Sequence, residues 1–177
     1  MKNTADNETF ATITQRKSVR HYTGTKLNAA QLELLVKAGM AAPSANNVQP
    51  WHFIVITNDD TIKQLTIGLP YGKMLPQAGA AIVVCGIVES DDVNPNVYWQ
   101  QDCSAATQNI LLAAESLGYG AVWLGVYPRE DRIAHVKNTL QIPDKIMPLN
   151  VLAVGMPVGD EKPKNKYKPN KIHWEKW

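Results

Sequence analysis

The segment Arg16-Lys17-Ser18-Val19-Arg20 places cationic and hydroxyl side chains at alternate positions. If the segment is extended, Arg16, Ser18 and Arg20 project to the same side of the backbone. Two guanidinium groups around a hydroxyl suit a phosphate and a nearby electron-rich carbonyl, because a guanidinium donates hydrogen bonds in a fixed planar fork. A solvated basic turn is the alternative interpretation, and this segment alone does not decide between the two.

A second basic segment lies near the carboxyl end. It contains Lys162, Lys164, Lys166, Lys168, Lys171 and Lys176, against Asp160, Glu161 and Glu175. Lys164 and Lys166 alternate as Arg16 and Ser18 do and could close on the same phosphate. A solvated or disordered tail is the alternative. Because the tail ends in IHWEKW (172–177), we predict that it docks on a surface, which could belong to a second subunit.

A polar corner, PSANNVQPWHF (43–53), joins a predicted helix to a predicted strand. Short connections commonly use Pro, Asn and Ser only to make a turn. A ligand-binding role for these side chains would require a second polar cluster that binds the same ligand. The two basic segments are candidates for that cluster.

Other common chemistries lack their residue patterns. The four histidines are scattered at His21, His52, His135 and His173. None belongs to an HExxH motif or a Cys/His pair at ligand spacing, so we predict no metal site. The chain has no GxSxG elbow, and Cys103 falls on an apolar helix face, which argues against a serine or cysteine hydrolase. GYGAVW (118–123) leads from a helix into a strand, the reverse of the order that a dinucleotide fingerprint requires.

The bulk composition describes one globular domain. A chain of 177 residues with a net charge of +2 gives no argument for nucleic acid or an acidic membrane surface. The N-terminus lacks the apolar run of a secretory signal, and the longest apolar stretch (78–88) is far shorter than the roughly 20 residues of a membrane span. We therefore expect a cytoplasmic protein in which Cys85 and Cys103 are small buried apolar residues.

The predicted elements alternate between helices and strands. A capping box at Asn28 begins a helix that ends before Pro43, because proline disfavours helical geometry in the preceding residue. The longest helical pattern (98–117) has a face of small apolar residues and ends at Gly118. A further helix is predicted at 130–140, and strands at 51–57, 80–88, 121–126 and 148–158. This order predicts an α+β fold in which helices cover a sheet.

Together these motifs resemble the nitroreductase family of FMN-dependent oxidoreductases. The resemblance covers nearly the whole chain and rests on RKSVRHY (16–22), AAPSANNVQPWHFIVI (41–56), GKMLPQAGAAIVV (72–84), LGYGAVWLGVYP (117–128) and GMPVGDEKPKNKYKP (155–169). It implies a single FMN-binding domain over 1–177 with a central, mostly antiparallel sheet flanked by helices. It also implies an intertwined homodimer in which the extension 160–177 packs on the partner subunit.

The resemblance further implies two FMN sites at the dimer interface, each built from both chains. The family's basic-serine motif is matched by Arg16, Lys17, Ser18 and Arg20. In it, Arg16 and Ser18 would lie on the phosphate and ribityl side, and Arg20 towards the pyrimidine edge. Lys164 and Lys166 match a basic pair on the phosphate.

The same resemblance assigns residues to the flavin ring. Lys73 resembles a lysine near the N1 and O2 edge, where a cation stabilises the negative charge of reduced flavin. The partner chain would contribute Pro43, Ser44, Ala45, Asn47 and Gln49. The face near N5 would be lined by Trp123, Leu124 and Gly125. No protein side chain is required as a nucleophile, because the cofactor supplies the reactive centre.

The implied activity is hydride transfer from NAD(P)H to a nitroaromatic, a quinone or a similar flat electrophile by a ping-pong mechanism. A specialised relative, such as a dehalogenase or a flavin-consuming enzyme, would need a substrate-gripping lid, for which the loop 90–99 is the obvious candidate. A flavin-binding sensor without turnover is a further alternative. A nucleic-acid role for the basic tail has little support, because only Tyr167 interleaves with its lysines. We expect a homodimer, a small-molecule electron acceptor, and neither nucleic acid nor membrane as a partner.

Overall fold

A four-stranded antiparallel sheet forms the centre of the computed structural model, which describes residues 7–88 and 97–177. The strands are β1 (Trp51–Ile56), β2 (Ala80–Ile87), β3 (Gly120–Gly125) and β4 (Ile146–Gly155), in the order β1-β2-β4-β3. Neighbouring strands are antiparallel throughout. This sheet confirms the predicted α+β fold with an antiparallel centre.

Helices cover both faces of the sheet. They are α1 (Glu8–Gln15), α2 (Ala29–Met40), α3 (Asp59–Ile67), α4 (Leu75–Ala78), α5 (Trp99–Ser116) and α6 (Glu130–Leu140). Successive side chains of a strand point to opposite faces, so β2 contributes Ala81 and Val83 to one apolar core and Ile82 and Val84 to the other. Because both faces are covered, the inner strands β2 and β4 are apolar along most of their length.

The first core lies between the sheet and α3, α4 and α6. It contains Ile62, Leu65, Leu75 and Val136, with Tyr22 at its margin. The Tyr22 hydroxyl contacts the Ala153 carbonyl of β4 at 3.2 Å, which joins the segment before α2 to this core. Gly155 of β4 passes so close to α4 that a Cβ added there would lie 2.3 Å from the Ala78 carbonyl oxygen.

The second core lies between the sheet and the packed pair α2 and α5. The small apolar face predicted for 98–117 is buried here and includes Cys103, Ala106 and Ile110. Cys85 and Cys103 are free and buried, as predicted. Burial raises the pKa of each thiol to about 12, because a thiolate is poorly solvated in an apolar core.

Local sequence explains the helix boundaries. Asn28 and Gln31 form the predicted capping box, in which each side chain accepts from the other residue's backbone N–H. Helix α2 ends at Met40, two residues earlier than predicted. Gly118 adopts a φ of +75° after α5, and the Tyr119 N–H bonds to the Ala114 carbonyl at 2.8 Å. This is the glycine helix end that the sequence predicts.

The short helix α4 is missing from the sequence prediction, as are helices α1 and α3. Apolar residues recur at helical spacing in both α1 and α3, but α1 buries no residue and α3 buries only Ile62 and Leu65, so packing on the core contributes little to either helix. Each of these two is also marked by an N-cap asparagine, Asn7 or Asn58, whose side chain accepts from a backbone N–H of the first turn.

The carboxyl-terminal segment runs along the outside of the domain. Residues 162–177 are all exposed, and Trp174 and Trp177 are 82% and 100% exposed. The predicted docking of 160–177 on a partner subunit therefore stays a prediction. Within the described ranges, no helix combines the length and apolar character that a membrane crossing needs.

Candidate functional site

A basic cavity of about 390 Å³ lies between the segment that follows α1 and the carboxyl-terminal segment. It is lined by Arg16, Lys17, Ser18, Arg20, Glu161, Lys162, Lys164 and Lys166. A second cavity of about 400 Å³ shares Arg16, Lys164 and Lys166 with it and adds Ile13 and Tyr167. The structure thus brings the N-terminal and C-terminal basic segments together in one chain.

The cations of the basic cavity differ in their partners. Lys17 Nζ lies 2.8 Å from Glu115 Oε1 at the end of α5, and both side chains are mostly buried. Arg16, Arg20, Lys164 and Lys166 form no ion pair with any described residue. Lys17 therefore has its charge balanced within the chain, whereas these four residues keep uncompensated positive charge for an anion.

Glu161 ties the two sides of the basic cavity together. Its Oε1 accepts hydrogen bonds from the backbone N–H groups of Arg20 and His21. Its Oε2 is buried and has no partner among the described residues. The sequence analysis counted Glu161 only as an acid among the tail lysines. Its position between Gly159 and the basic pair Lys164 and Lys166 was the feature of the sequence that could have marked it as part of the site.

A potential metal-binding cluster also arises at this place. His21 Nδ1 lies 2.8 Å from Asp160 Oδ2, and Glu161 completes a group of three possible ligands. Glu161 Oε1 already accepts two backbone hydrogen bonds, and the His21 and Asp160 side chains are exposed. These contacts explain the cluster as the link between the two basic segments.

The polar corner is held by its own side chains and by α5. Ser44 Oγ accepts from the Gln49 N–H at 2.9 Å, and Gln49 Nε2 donates to Asn47 Oδ1 at 3.0 Å. The Ala45 N–H donates to the buried Asp102 Oδ1 at 3.1 Å. Asn46, Asn47 and Gln49 have φ values of +50°, +56° and +51°. Such conformations cost free energy in residues other than glycine. The hydrogen bonds of Ser44, Gln49 and Asp102 therefore hold the corner in one defined conformation.

The corner stands apart from the basic cavity in this chain. Pro43, Asn47 and Gln49 are exposed, Ser44 and Ala45 are half-buried, and none of the five lines the basic cavity. Their predicted role, in a site shared with a second chain, stays a prediction. Asp102 is a further residue that the sequence analysis missed, because its only visible signal was an acid at the start of a helix.

The outer edge of β3 carries the next predicted residues. The Val126 N–H donates to the Leu149 carbonyl, and ladder hydrogen bonds alternate along an antiparallel pair. Ala121, Trp123 and Gly125 therefore turn their backbone groups away from β4, and Val19 bonds the Ala121 carbonyl at 3.0 Å. A Cβ on Gly125 would meet no atom within 4 Å, so this end of the edge is open.

The three predicted β3 residues present different groups. Trp123 is 37% exposed and Leu124 is buried in the first core. By the same alternation, the Leu124 N–H and carbonyl point toward β4, so neither its side chain nor its backbone groups face the outer edge. Gly125 offers an outward N–H beside open space.

Arg132 of α6 reaches the Gly125 end of β3. Its Nη1 donates to the Gly125 carbonyl at 2.8 Å, and its guanidinium lies 5.7 Å from the centre of the Tyr71 ring. Lys73 follows two residues after Tyr71, is exposed, and forms no ion pair with a described residue. Lys73 does not line the basic cavity. Arg132 had no motif to mark it in the sequence.

The candidate lid falls largely outside the described residues. Of the loop 90–99, the structure describes only Val97, Tyr98 and Trp99, of which Trp99 begins α5 and is buried. Tyr127 makes an edge-on contact with the Trp99 ring, with centroids 5.1 Å apart. The end of this loop is therefore anchored close to the end of β3.

A protein-family model and a curated relative both match nearly the whole chain. The model of the nitroreductase family matches residues 13–67 and 64–160. A protein of Archaeoglobus fulgidus named "Putative NADH dehydrogenase/NAD(P)H nitroreductase" is 45% identical over 174 residues, covering 96% of this chain and 99% of its own.

Solved structures show the same similarity. A crystal structure of a protein with that name from Parabacteroides distasonis has a TM-score of 0.92 at 47% identity, covering 97% of this chain and 100% of its own. An "FMN-dependent Nitroreductase" from Clostridium difficile has a TM-score of 0.83 at 26% identity, covering 94% of this chain and 98% of its own.

Proposed function

The chain belongs to the nitroreductase family, and from this premise we propose that it is an FMN-dependent enzyme that oxidises NAD(P)H. Its acceptors would be nitroaromatics, quinones or similar flat electrophiles. The relatives' names support the nicotinamide and flavin parts of this proposal. The observation that carries it is the meeting of Arg16 and Arg20 with Lys164 and Lys166 around one cavity.

The residues present fit the phosphate of FMN. A phosphate monoester carries up to two negative charges, and the cavity offers five cations without an ion-pair partner in the described chain, namely Arg16, Arg20, Lys162, Lys164 and Lys166. Guanidinium groups at Arg16 and Arg20 provide planar pairs of donors, and the hydroxyl of Ser18 adds a neutral donor between them. We assign Lys17 mainly to the ion pair with Glu115 and give it a smaller part in binding.

The residues near β3 fit the ring of the flavin. Open space at Gly125 admits a flat group against the backbone, where an outward N–H could donate to N5. Lys73 would lie at the N1 and O2 edge and stabilise negative charge there. When bound, FMN supplies the redox chemistry, taking hydride from NAD(P)H and passing it to the acceptor in ping-pong order.

The protein's own contribution is to hold this group and to shape the space above it. The buried thiols of Cys85 and Cys103 have raised pKa values and no access to such a site, so they take no part. Trp123, which is partly exposed on the same edge strand, would form one wall of the acceptor pocket.

A second copy of the chain would complete each site. The polar corner (43–49) has exposed amide side chains in a supported conformation, and a partner's flavin would give them hydrogen-bonding atoms. The exposed Ile172, Trp174 and Trp177 would be covered when the extension 160–177 packs on that copy. Burying large aromatic side chains is strongly favourable, which supports the dimer.

An anaerobic absorbance experiment tests the proposal. Purified protein is reconstituted with FMN, freed of unbound flavin, and mixed first with NADH or NADPH and then with a quinone. We expect the flavin band to bleach with a nicotinamide and to return with the quinone. Bound flavin that does not bleach would favour a sensor or a specialised relative, and absence of flavin binding would overturn the proposal.

A matched variant locates the site. Removal of both charges by Lys164→Met and Lys166→Met should abolish or strongly weaken FMN retention, while Lys176→Met in the same tail should not. Size-exclusion chromatography with light scattering tests the dimer separately. A monomer that retains FMN after unbound flavin is removed would refute the shared site and leave the flavin assignment standing.

A further inference from the structure

We propose that Arg132 is a positioning residue that fixes two separate segments at the flavin ring, the Gly125 end of β3 and the Tyr71 turn (residues 68–74). This inference rests on the proposed function. Arg132 itself would not touch the reacting atoms. It would act through the backbone of Gly125 and through the turn that carries Lys73.

The first contact is with the edge strand. Arg132 Nη1 donates to the Gly125 carbonyl at 2.8 Å, a charge-assisted hydrogen bond. This carbonyl points away from β4, while the Val126 N–H of the same peptide donates to the Leu149 carbonyl of β4 at 3.1 Å. Arg132 therefore holds this peptide from the outer side as β4 holds it from the inner side, and it restrains the unit next to the one that carries the outward Gly125 N–H.

The second contact is with the Tyr71 turn. The Arg132 guanidinium lies 5.7 Å from the centre of the Tyr71 ring, within the range of a cation–π interaction. Tyr71 is 73% exposed, so packing in the core does not hold it. The turn has its own hydrogen bond, from the Gly72 N–H to the Leu69 carbonyl at 2.8 Å. Arg132 thus joins this turn, and with it Lys73, to the end of β3.

The partial burial of the Arg132 guanidinium costs folding free energy, which a purely surface role would not explain. Its Nε is buried and has no acceptor among the described residues. A buried charged donor without a partner lowers stability, so an arginine here is not explained by stability alone. Arg129, one turn earlier, offers a contrast: its side chain is 67% exposed and its Nε is 3.9 Å from Asp131.

The two contacts of Arg132 would together determine how the flavin ring is placed between Gly125 and Lys73. Gly125 and Lys73 are proposed to meet opposite regions of the flavin ring, N5 and the N1/O2 edge. A single rigid guanidinium that holds both segments would keep these groups at a constant separation. Loss of the link should leave the phosphate end of FMN bound while the ring becomes less well placed.

Hydrogen exchange in the apoprotein tests the link without any flavin. Three variants are compared with the wild type: Arg132→Gln, Arg132→Lys and the control Arg129→Gln. We expect Arg132→Gln to speed exchange several-fold in peptides covering 68–74 and 123–127, with Arg132→Lys intermediate because an ammonium can still donate to Gly125. Arg129→Gln should match the wild type. Unchanged exchange in Arg132→Gln would overturn the link.

Flavin titrations then test the consequence. Arg132→Gln should weaken FMN binding about ten-fold, as for loss of one fixed contact, and move the midpoint potential of bound FMN to a more negative value. Lys164→Met should weaken FMN binding with a smaller change in potential, because it acts on the phosphate. Arg132→Lys should restore part of the potential. A potential equal to that of the wild type in Arg132→Gln would overturn the positioning role.

The two experiments separate the inference from its premise. If the wild type binds no FMN, the proposed function fails, and with it the flavin role of Arg132, whatever the exchange data show. If the wild type binds FMN and Arg132→Gln alters exchange but not the potential, the enzyme assignment stands and Arg132 is only a structural brace.

Discussion

The backbone N–H of His21 donates a 3.0 Å hydrogen bond to Oε1 of Glu161, although 140 positions separate the two residues. The Arg20 N–H donates to the same oxygen. One carboxylate therefore aligns the N-terminal basic segment with the lysine tail. It does so at the wall of a cavity that is otherwise lined by cations and Ser18.

Glu161→Ala should weaken FMN binding, even though it removes a negative charge from a basic cavity. The expected loss arises because Lys164 and Lys166 would no longer be held beside Arg16. Glu161→Gln should be intermediate, since its amide oxygen can still accept from the backbone. Fluorescence titration with FMN measures the effect, with Glu175→Ala as the control in the same tail. Tighter binding in Glu161→Ala would mean that charge outweighs position.

Lys164→Met and Lys166→Met should each raise the Kd for FMN about ten-fold, the usual worth of a charge-assisted contact to phosphate. The same variants should bind riboflavin as the wild type does, because riboflavin lacks the phosphate. Parallel titrations with both flavins measure this. An equal loss for riboflavin would place these lysines elsewhere on the ligand.

Lys17→Met should affect stability more than flavin binding. The Lys17–Glu115 pair is 2.8 Å long and mostly buried, so its removal leaves Glu115 without its cation. We expect a loss of about 1–3 kcal/mol in the free energy of unfolding. Urea denaturation measures it, and Lys63→Met, whose partner Asp60 is exposed, is the control. A larger effect on the FMN Kd than Arg16→Met would contradict this division of roles.

Gly155→Ala and Gly125→Ala should separate folding from binding. A Cβ at Gly155 would lie 2.3 Å from the Ala78 carbonyl oxygen, whereas one at Gly125 would meet nothing within 4 Å. Gly155→Ala should lower the free energy of unfolding by about 1–3 kcal/mol through overpacking. Gly125→Ala should keep the wild-type stability and weaken FMN binding, because its methyl group would occupy the open space. Thermal denaturation and FMN titration together check both outcomes.

The stability of the apoprotein should fall as the pH rises above about 9. In the folded state, burial raises the pKa of Cys85 and Cys103 to about 12, whereas in the unfolded chain both thiols titrate near their ordinary pKa of 9.0. Protons therefore leave the unfolded state first, and the equilibrium shifts towards it between pH 9 and 12.

Urea denaturation across this pH range measures the effect. The Cys85→Ala/Cys103→Ala variant should show a shallower fall than the wild type. Part of the fall should remain, because burial also raises the pKa of Tyr22. Identical slopes for wild type and variant would show that the two thiols are not protected in the folded state.

Much of the fold follows from local sequence patterns. The capping box at Asn28, the glycine after α5 and the strand at 80–88 each depend on residues within one element or its ends. Helices α1 and α3 also carry local signals, since each has apolar residues at helical spacing and an N-cap asparagine, although they bury few side chains.

The candidate site depends both on local sequence patterns and on contacts between residues far apart in the sequence. The α+β class, the family resemblance, the two basic segments and the polar corner could all be predicted before folding, because residue type and short spacing carry that information. Three contacts are visible only in the folded chain: Glu161 joins the basic segments, Glu115 neutralises Lys17, and Arg132 links Gly125 to the Tyr71 turn. Hydrogen bonds and ion pairs depend on distance in space, and these partners come close only when the sheet and its helices are assembled.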